Sequence, residues 1–311
     1  AKIANAVAMI TNNYVVVCVS QSPFEKGFAA SLSEAMARLK LKPGQLAEFT
    51  QGPFSIIQLK AQAPQIITSE RIKTVLTPLC DQYRLDMMCT TEEQFRTPIK
   101  LIAFDMDSTL IAAEVIDEMA MSHGVGPQVK QVTVRAMNGE MDFDQSLRER
   151  LSLCQGLPIA KLAEIYQRIQ FTAGTEAMVK RAHQLGIKTA IISGGFSFFA
   201  EKFRQRLGMN YAFANELEFN DHGLTGKVLG DILNAQKKVT IVTQLAGQEN
   251  IPLEQVAAVG DGANDLPMLA AVGMGVAIHG KERVKREAPH LINHGPMTTL
   301  LFYLGLSYGD V

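Results

Sequence analysis

From residue 99 onward, short and almost continuously apolar runs alternate with amphipathic stretches, and this alternation limits the possible folds more than any other feature. Four such runs stand out, at residues 101–105, 187–193, 256–260 and 273–277. A strand without polar alternation is typical of a sheet that helices cover on both faces. Because helical patterns separate the runs, the sequence predicts an α/β fold with a doubly wound, mainly parallel sheet.

A long segment with a helical pattern, at about 112–180, separates the first two of these strands. It is too long for a simple crossover between parallel strands. In a doubly wound sheet the chemistry lies at the carboxyl ends of the strands, and a segment inserted after the first strand lies above that edge. We therefore expect a helical cap over the functional site, with Gly139 and Gly156 as candidate hinges at the ends of its helices.

The first 95 residues have a different pattern of predicted elements. Their elements follow the order βαββαβ, with strand patterns at 14–19, 46–50, 54–59 and 85–89 and helical patterns at 24–39 and 69–83. This order is typical of a ferredoxin-like α+β sandwich, and these residues resemble the general ACT-like module. We expect a regulatory or structural domain at 1–95, a polar linker at 90–98 and a catalytic domain at 99–311.

The charge balance argues against a nucleic-acid partner. The chain of 311 residues carries 30 lysines and arginines against 31 aspartates and glutamates, a net charge of −1, which does not favour a surface for a polyanion. No apolar run approaches the roughly 18 residues of a membrane span, and residues 1–5 lack the layout of a signal peptide. We expect neither a nucleic-acid nor a membrane partner.

The number and spacing of the cysteines indicate a reducing compartment. There are four, without a CxxC pair, at Cys18, Cys80, Cys89 and Cys154. In a chain of this length they are typical of small buried side chains in a reducing environment. We therefore expect a cytoplasmic protein with free thiols.

Two carboxylates, Asp105 and Asp107, follow the first strand of the α/β region in one short loop. Residues two apart on an extended segment point the same way, so both can face one cavity. Such a pair is consistent with a metal site, with a general acid and base, or with a nucleophile and its acid. Capping of a helix N-terminus by acidic and hydroxyl side chains would explain the same residues without any chemistry.

Polar groups also follow the next two strands. Ser193 stands before two glycines, which is typical of a phosphate-binding turn at a helix N-terminus. Asp261 and Asp265 follow the third strand, and Gly260 and Gly262 beside Asp261 allow close backbone approach. Lys238 opens the helix before the third strand and can reach the same edge, where it would offset the repulsion between a carboxylate and a phosphate. Together these residues predict a divalent cation beside a phosphate.

These residues resemble the four ordered motifs of the haloacid-dehalogenase superfamily, at positions 105–109, 193–195, 238 and 260–265. The chain is most similar to the family within it that hydrolyses O-phospho-L-serine, because further segments match that family at 114–118, 133–137, 141–150 and 214–217. The resemblance covers roughly residues 97–300. It implies the superfamily's doubly wound sheet with an inserted helical cap.

The resemblance implies a role for each acid. Asp105 would be the nucleophile that forms an aspartyl-phosphate, and Asp107 would be the general acid and base. Mg²⁺ would be held by the Asp105 carboxylate, the Asp107 backbone carbonyl and the Asp261 carboxylate. Asp265 would support the waters of the metal.

The resemblance also implies two sets of substrate contacts. Four residues would hold the phosphoryl oxygens: Ser193, Gly194, Lys238 and Asn264. Glu114 would bind the substrate ammonium, and Arg150 would bind its carboxylate with both nitrogens of its fork. Met137 and Phe143 would form an apolar wall that excludes water.

The implied activity is Mg²⁺-dependent hydrolysis of O-phospho-L-serine to L-serine and phosphate, the last step of serine biosynthesis. Two alternatives stay open. A related phosphotransferase would pass the phosphoryl group to another alcohol such as homoserine, and a receiver-like phospho-switch would be phosphorylated without turnover. The sequence also leaves open whether the chain forms a homodimer.

Overall fold

The computed structural model describes residues 12–309, so residues 1–5, which lack a signal-peptide layout, lie outside the described residues. The described chain forms two compact units, one of residues 12–98 with 290–309 and the other of residues 99–289. The boundary expected from the sequence placed 290–309 in the catalytic domain, whereas the structure places them in the first unit. Within the described residues, no helix is both long and apolar enough to cross a bilayer.

The first unit contains a four-stranded antiparallel sheet and two main helices. Its elements are β1 (Asn12–Ser20), α1 (Phe28–Arg38), β2 (Lys42–Gln51), β3 (Phe54–Ala63), α2 (Ser69–Tyr83) and β4 (Asp86–Thr91). The strands are ordered β2-β3-β1-β4, and Val16 in β1 lies opposite Leu59 in β3 and Cys89 in β4. This arrangement confirms the ferredoxin-like prediction.

Two local predictions in this unit are wrong. The helix predicted from residue 24 begins only at Phe28, because Gly27 adopts a left-handed conformation with φ 99°. The predicted linker at 90–98 contains the end of β4 and a further helix, α3 (Glu92–Arg96). Thr91 starts this helix, because its side chain accepts a hydrogen bond from the Gln94 amide at 3.2 Å.

The second unit is built on a mainly parallel sheet. Its strands are β5 (Leu101–Phe104), β6 (Lys188–Phe196), β7 (Tyr211–Asn220), β8 (Gly223–Leu229), β9 (Val256–Gly260) and β10 (Met274–Ile278). They are ordered β10-β9-β5-β6-β7-β8, with an antiparallel pairing between β7 and β8. The four predicted strands are confirmed. The sequence did not predict β7 and β8, because half-buried and polar residues interrupt their apolar pattern.

Four helices lie between β5 and the crossover that leads to β6: α4 (Val115–His123), α5 (Gly126–Met137), α6 (Phe143–Leu153) and α7 (Ile159–Arg168). An antiparallel bridge between Ile111 and Phe171 closes the base of this insertion. The cap therefore ends before α8 (Thr175–Gln184), which is the crossover helix. The range of about 112–180 predicted for the cap included the first part of α8.

The remaining helices of this unit follow strands of the sheet: α9 (Ser197–Leu207), α10 (Ala235–Gln248), α11 (Leu266–Ala271) and α12 (Glu282–Glu287). A short 3₁₀ turn, Leu253–Gln255, leads into β9.

Local sequence signals set the limits of the cap helices. Asp142 caps α6 by accepting a hydrogen bond from the Gln145 amide at 2.8 Å, while the Gln145 side chain accepts one from the Asp142 amide at 3.1 Å. Gly139 and Gly156 follow α5 and α6 with φ values of 79° and 85°, which favour glycine. The two glycines lie where the sequence placed them, and their role as hinges stays a prediction.

The closing segment, residues 290–309, packs in the first unit. It contains β11 (His290–Ile292) and α13 (Thr299–Tyr303). The buried Asp86 carboxylate accepts hydrogen bonds from the backbone amides of Asn293, His294 and Gly295 at 2.7, 3.1 and 2.6 Å. Because amide donors bind an ionised acceptor strongly, Asp86 anchors this segment.

Candidate active site

Neighbouring parallel strands bring the predicted polar residues to one edge of the sheet. Asp105 follows β5, Ser193 lies near the end of β6 and Asp261 follows β9, and β5 pairs with both other strands. A cavity of about 560 Å³ lies here. Ten of the twelve predicted site residues line it: Asp105, Asp107, Glu114, Met137, Phe143, Arg150, Ser193, Gly194, Asp261 and Asn264. The other two, Lys238 and Asp265, are buried and bonded to each other.

The turn after β5, Met106–Leu110, fixes the first two acids. The Asp105 amide donates to the Val259 carbonyl at 2.9 Å, which continues the pairing with β9. Asp105 and Asp107 both have extended backbones, with φ/ψ of −66°/163° and −64°/132°, and both line the cavity as their spacing predicted. The Val115 amide donates to Asp107 Oδ1 at 3.1 Å, which ties the turn to the start of α4.

Lys238 is a fully buried cation beside these acids. It lies in the first turn of α10, which begins where the Asn234 side chain accepts a backbone hydrogen bond. Its ammonium lies 2.7 Å from Asp105 Oδ1 and 2.6 Å from Asp265 Oδ1. Burial lowers the pKa of Lys238, but the two carboxylates outweigh burial and raise this pKa above its ordinary value.

Burial and mutual repulsion favour the protonated forms of the acids. Burial, followed by the charge of Asp265, raises the pKa of Asp105 to about 6. Burial and the charges of Asp105 and Asp265 raise the pKa of Asp261 to about 7. The pKa of Asp107 lies well above its ordinary value, because its half-buried carboxyl is desolvated and faces Glu114 and Asp105. An acid that keeps its proton near neutral pH is suited to proton donation.

The same acids fit a divalent metal. Carboxylate oxygens of Asp105, Asp261 and Asp265 lie within 4.8 Å of one another. Hard oxygen donors of this kind are the ligands that Mg²⁺ prefers. The buried ammonium of Lys238 and the exposed ammonium of Lys281, which lies 3.9 Å from Asp261 Oδ2, do not balance three carboxylates, so a bound dication would offset the remaining negative charge.

The turn that begins with Ser193 differs from its prediction in one respect. The sequence predicted a helix N-terminus at this turn, but β6 continues to Phe196 and α9 begins at Ser197. The Gly195 amide donates to Ser193 Oγ at 2.9 Å. The turn therefore lines the cavity as the end of a strand, with its serine hydroxyl folded back on its own backbone.

Two glycines in this turn let neighbouring side chains approach the backbone. A Cβ on Gly194 would lie 2.8 Å from Phe143 Cζ, and a Cβ on Gly195 would lie 2.6 Å from Asp107 Oδ2. A side chain at either position would displace Phe143 or Asp107 from where it lies. The two glycines therefore permit the close packing around the cavity.

The cap segment adds two opposite charges to the cavity. Glu114 precedes α4 and accepts a hydrogen bond from Ser108 Oγ at 2.8 Å. Arg150 lies on α6, and its Nε donates to the Ser146 carbonyl at 3.3 Å. Burial lowers the pKa of Arg150, and the charge of Glu114 opposes this shift.

The other predicted contacts lie on the cap and on the loop after β9. Phe143 is the first residue of α6 and is half-buried, and Met137 is the last residue of α5, with 76% of its surface exposed. Asn264 is half-buried. All three line the cavity, and of the two apolar residues Phe143 is the one that touches the Gly194 turn.

Three residues that the sequence did not single out hold the site in shape. Thr109 is fully buried and donates to Asp261 Oδ1 at 3.1 Å. Asn215 on β7 donates to the Gly194 carbonyl at 2.8 Å and accepts from the Leu233 amide at 2.7 Å. Ser108 donates to Glu114. Thr109 and Ser108 stand inside the first acidic motif, and Asn215 stands inside segment 214–217, whose resemblance to the family is the signal that could have identified it.

Comparisons with known proteins agree with this geometry. A model of the haloacid dehalogenase-like hydrolases matches residues 99–273, more than half of the chain. The phosphoserine phosphatase of Saccharomyces cerevisiae is 41% identical over 248 residues, which are 79% of this chain and 80% of that protein. The phosphoserine phosphatase of Archaeoglobus fulgidus is 43% identical over 222 residues, which are 71% of this chain and 64% of that protein.

A solved structure extends the similarity to nearly the whole chain. The unliganded crystal structure of a probable phosphoserine phosphatase from Vibrio cholerae has a TM-score of 0.74 and 31% identity, and it covers 94% of this chain and 86% of that one. Together with the matched family model and the yeast relative, this similarity is enough to assign the family. The chain is an enzyme of the haloacid dehalogenase-like hydrolases and belongs, within them, to the phosphoserine phosphatase family.

Proposed function

We propose that the chain hydrolyses O-phospho-L-serine to L-serine and inorganic phosphate, with Mg²⁺ and through an aspartyl-phosphate on Asp105. The observation that carries this proposal is that one cavity is lined both by the acids of the sheet edge and by Glu114 and Arg150. The first set suits a phosphoryl group, and the second set suits the ammonium and carboxylate of an amino acid. The names of the relatives support the same substrate.

In the first step Asp105 is the nucleophile. One of its carboxylate oxygens forms a bond to phosphorus, and the bond between phosphorus and the serine oxygen breaks. Asp107 protonates the departing oxygen, so serine leaves with a neutral hydroxyl. The raised pKa of Asp107 supports this role, because the acid must hold its proton before the step.

In the second step Asp107 acts as a base. The ionised carboxylate takes a proton from a water molecule, and the oxygen of that water forms a bond to the phosphorus of the aspartyl-phosphate. The bond between phosphorus and Asp105 breaks, and phosphate leaves. Both side chains then have the protonation states with which they began.

We propose three ligands for the metal: the Asp105 carboxylate, the Asp107 backbone carbonyl and the Asp261 carboxylate. When bound there, Mg²⁺ would offset the negative charge that accumulates as the carboxylate meets the phosphate. Asp265 already binds Lys238 at 2.6 Å and the Gly262 amide at 2.9 Å. These contacts favour a role for Asp265 behind the ligands rather than among them.

Four groups would hold the phosphoryl oxygens: the Ser193 hydroxyl, the Gly194 amide, the Lys238 ammonium and the Asn264 side chain. Lys238 Nζ lies 2.7 Å from Asp105 Oδ1, so its charge stands where the phosphoryl group would be attached. A positioned cation at this point stabilises the charge that develops during transfer.

The two ends of serine would be bound by the charges of the cap segment. Glu114 would bind the ammonium. Arg150 uses its Nε on the Ser146 carbonyl, and this leaves its terminal nitrogens for the substrate carboxylate. Phe143 and Met137 would form the apolar wall beside the bound ester.

The experiment is a phosphate-release assay on a panel of phosphoserine, phosphothreonine and phosphotyrosine, with Mg²⁺ and with EDTA. We expect turnover of phosphoserine that EDTA abolishes, and none in Asp105→Asn. Undiminished turnover in Asp105→Asn would refute the nucleophile. Phosphorylated homoserine in place of free phosphate, when homoserine is added, would indicate a phosphotransferase instead.

Four further expectations stay predictions. They are the place of the reaction in serine biosynthesis, the cytoplasmic location, the formation of a homodimer and the regulatory or structural role of the first domain.

A further inference from the structure

Ser108 adopts a backbone conformation that serine disfavours. Its φ and ψ are 55° and 3°, in the left-handed region that favours glycine. It stands directly after Asp107 in the turn that forms the floor of the site. Strained residues persist where the surrounding structure holds them, and they concentrate at functional sites. A serine at this position therefore supplies something that glycine would not.

The side chain of Ser108 supplies a hydrogen bond to a charged group. Its Oγ donates to Glu114 Oε1 at 2.8 Å. The Ser108 amide donates to the Ala113 carbonyl at 3.0 Å, and the Val115 amide donates to Asp107 Oδ1 at 3.1 Å. These three contacts close residues 107–115 into a loop in which both chain neighbours of Glu114 are bonded through their backbone and Glu114 itself is held at one carboxylate oxygen.

The contact fixes one end of the Glu114 carboxylate and leaves acceptor sites for a ligand. With Oε1 held by Ser108, the carboxylate keeps Oε2 and a second acceptor site on Oε1 for a substrate ammonium inside the cavity. Glu114 also acts electrostatically on Arg150, and both side chains line the cavity. A carboxylate without the Ser108 contact could rotate toward that guanidinium, and an ion pair between the two would occupy both groups at once.

We propose that Ser108 is a positioning residue that determines specificity: its hydroxyl fixes Glu114 in the orientation that binds an ammonium, and the site thereby selects phosphate esters that carry an amino group. The proposal rests on the proposed function, since Glu114 is the group assigned there to the substrate ammonium. The proposal explains the preference for amino-group esters by the fixed orientation of Glu114, which the charge of Glu114 alone does not explain.

Two variants separate the hydroxyl from the backbone strain. Ser108→Gly removes the hydroxyl and relieves the backbone strain. Ser108→Ala removes the hydroxyl and retains the backbone strain. The two substrates are phosphoserine and 3-phosphooxypropanoate, which is the same ester and carboxylate without the amino group. Both variants should raise the KM for phosphoserine about tenfold, as the loss of a hydrogen bond to a charged group predicts. Their kcat should stay near that of the wild type, and the KM for 3-phosphooxypropanoate should not change.

A matched serine provides the control. Ser152 is exposed, and its Oγ donates to the Glu149 carbonyl of its own helix at 2.8 Å. Ser152→Ala should leave the KM for both esters unchanged. The thermal unfolding midpoint of Ser108→Gly should stay close to that of the wild type, because relief of the left-handed backbone offsets the loss of one hydrogen bond. An unchanged midpoint excludes a folding defect as the cause of the shift in KM.

The outcomes distinguish this inference from the proposed function. If the wild type prefers phosphoserine and Ser108→Gly keeps that preference in full, the inference about Ser108 is overturned and the proposed function stands. Equal losses on both esters would also overturn it. A wild-type protein that hydrolyses both esters equally well would overturn the assignment of Glu114 and the inference together.

Discussion

The ammonium of Lys238 lies 2.7 Å from the Asp105 carboxylate, and neither side chain is more than 7% exposed. The pair joins the first turn of α10 to the end of β5, two elements that are far apart in the chain. It holds the proposed nucleophile at a fixed distance from a permanent positive charge. Stability and activity therefore depend on the same contact.

Replacement of Lys238 should lower both the stability and the activity of the enzyme. Lys238→Met leaves Asp105 and Asp265 buried without their counter-charge, and the free energy of unfolding should fall by about 3–5 kcal/mol. Phosphatase activity should fall about 100-fold or more. Urea unfolding and phosphate release measure the two effects.

The neighbouring lysine is the matched control. Lys237 is 41% exposed and pairs with the exposed Asp231 at 3.0 Å, so Lys237→Met should cost less than about 1 kcal/mol and leave activity intact. Equal effects of the two substitutions would contradict the role given to Lys238.

The raised pKa values predict a pH dependence for the metal-free enzyme. Asp105 and Asp261 have pKa values of about 6 and about 7 in the folded protein, against about 4 in an unfolded chain. Between these values the folded state binds more protons than the unfolded state, so the free energy of unfolding falls as the pH rises from about 4 to about 7. Unfolding measured in EDTA across this range should show that slope.

Two comparisons isolate the contribution of Asp261. Asp261→Asn should flatten the slope in EDTA, whereas the exposed Asp221→Asn should not. Addition of Mg²⁺ near pH 7 should raise the unfolding midpoint of the wild type more than that of Asp261→Asn. A slope that is the same in all three proteins would show that the acids at the sheet edge do not cause it.

Asn215 should prove necessary for phosphate binding. Its side chain joins the Gly194 carbonyl to the Leu233 amide, and Asn215→Ala leaves the buried amide unpaired at a cost of about 1–3 kcal/mol. Because the turn at Ser193 then loses its support, the inhibition constant of inorganic phosphate should rise severalfold. Asn220→Ala is the control, since the exposed Asn220 side chain accepts from the exposed His222 amide. A phosphate inhibition constant that is unchanged in Asn215→Ala would contradict this role.

The thiols should be unreactive in the native enzyme. Burial raises the pKa of Cys89 to about 12 and that of Cys154 to about 11, and it raises those of Cys18 and Cys80 as well. A disulfide reagent at about pH 8 should therefore label none of the four cysteines until denaturant is added, because the thiolate is the reactive form. Rapid labelling of a thiol in the native enzyme would contradict this prediction, because it would show that the structure around that thiol opens readily.

Parallel strand ends explain why much of the site could be predicted. Asp105 and Asp261 each follow a buried strand directly and Ser193 lies near the end of another, and a parallel sheet places such positions at one edge. The cap was predictable for a similar reason, since its helical pattern interrupts the sheet after the first strand.

Contacts between distant segments explain what could not be predicted. The bonds of Asn215 and the pairing of Lys238 with Asp265 depend on side chains from separate elements, and no local pattern specifies them. The left-handed backbone of Ser108 is disfavoured by its own residue type, so only the surrounding loop reveals it. β7 was not predicted because polar residues, among them Asn215 at the site, interrupt its apolar run.

The anchoring of the closing segment by Asp86 has a consequence for synthesis of the chain. Tyr308 adds to that anchoring, because its amide donates to the Gln51 side chain at 2.7 Å and its ring lies against Gly52. Residues 12–98 of the first domain are translated before the second unit, yet the packing of that domain is completed by residues that are translated after it. A nascent chain released before residue 290 would expose an unfilled surface on that domain, which would mark the incomplete product for proteolysis.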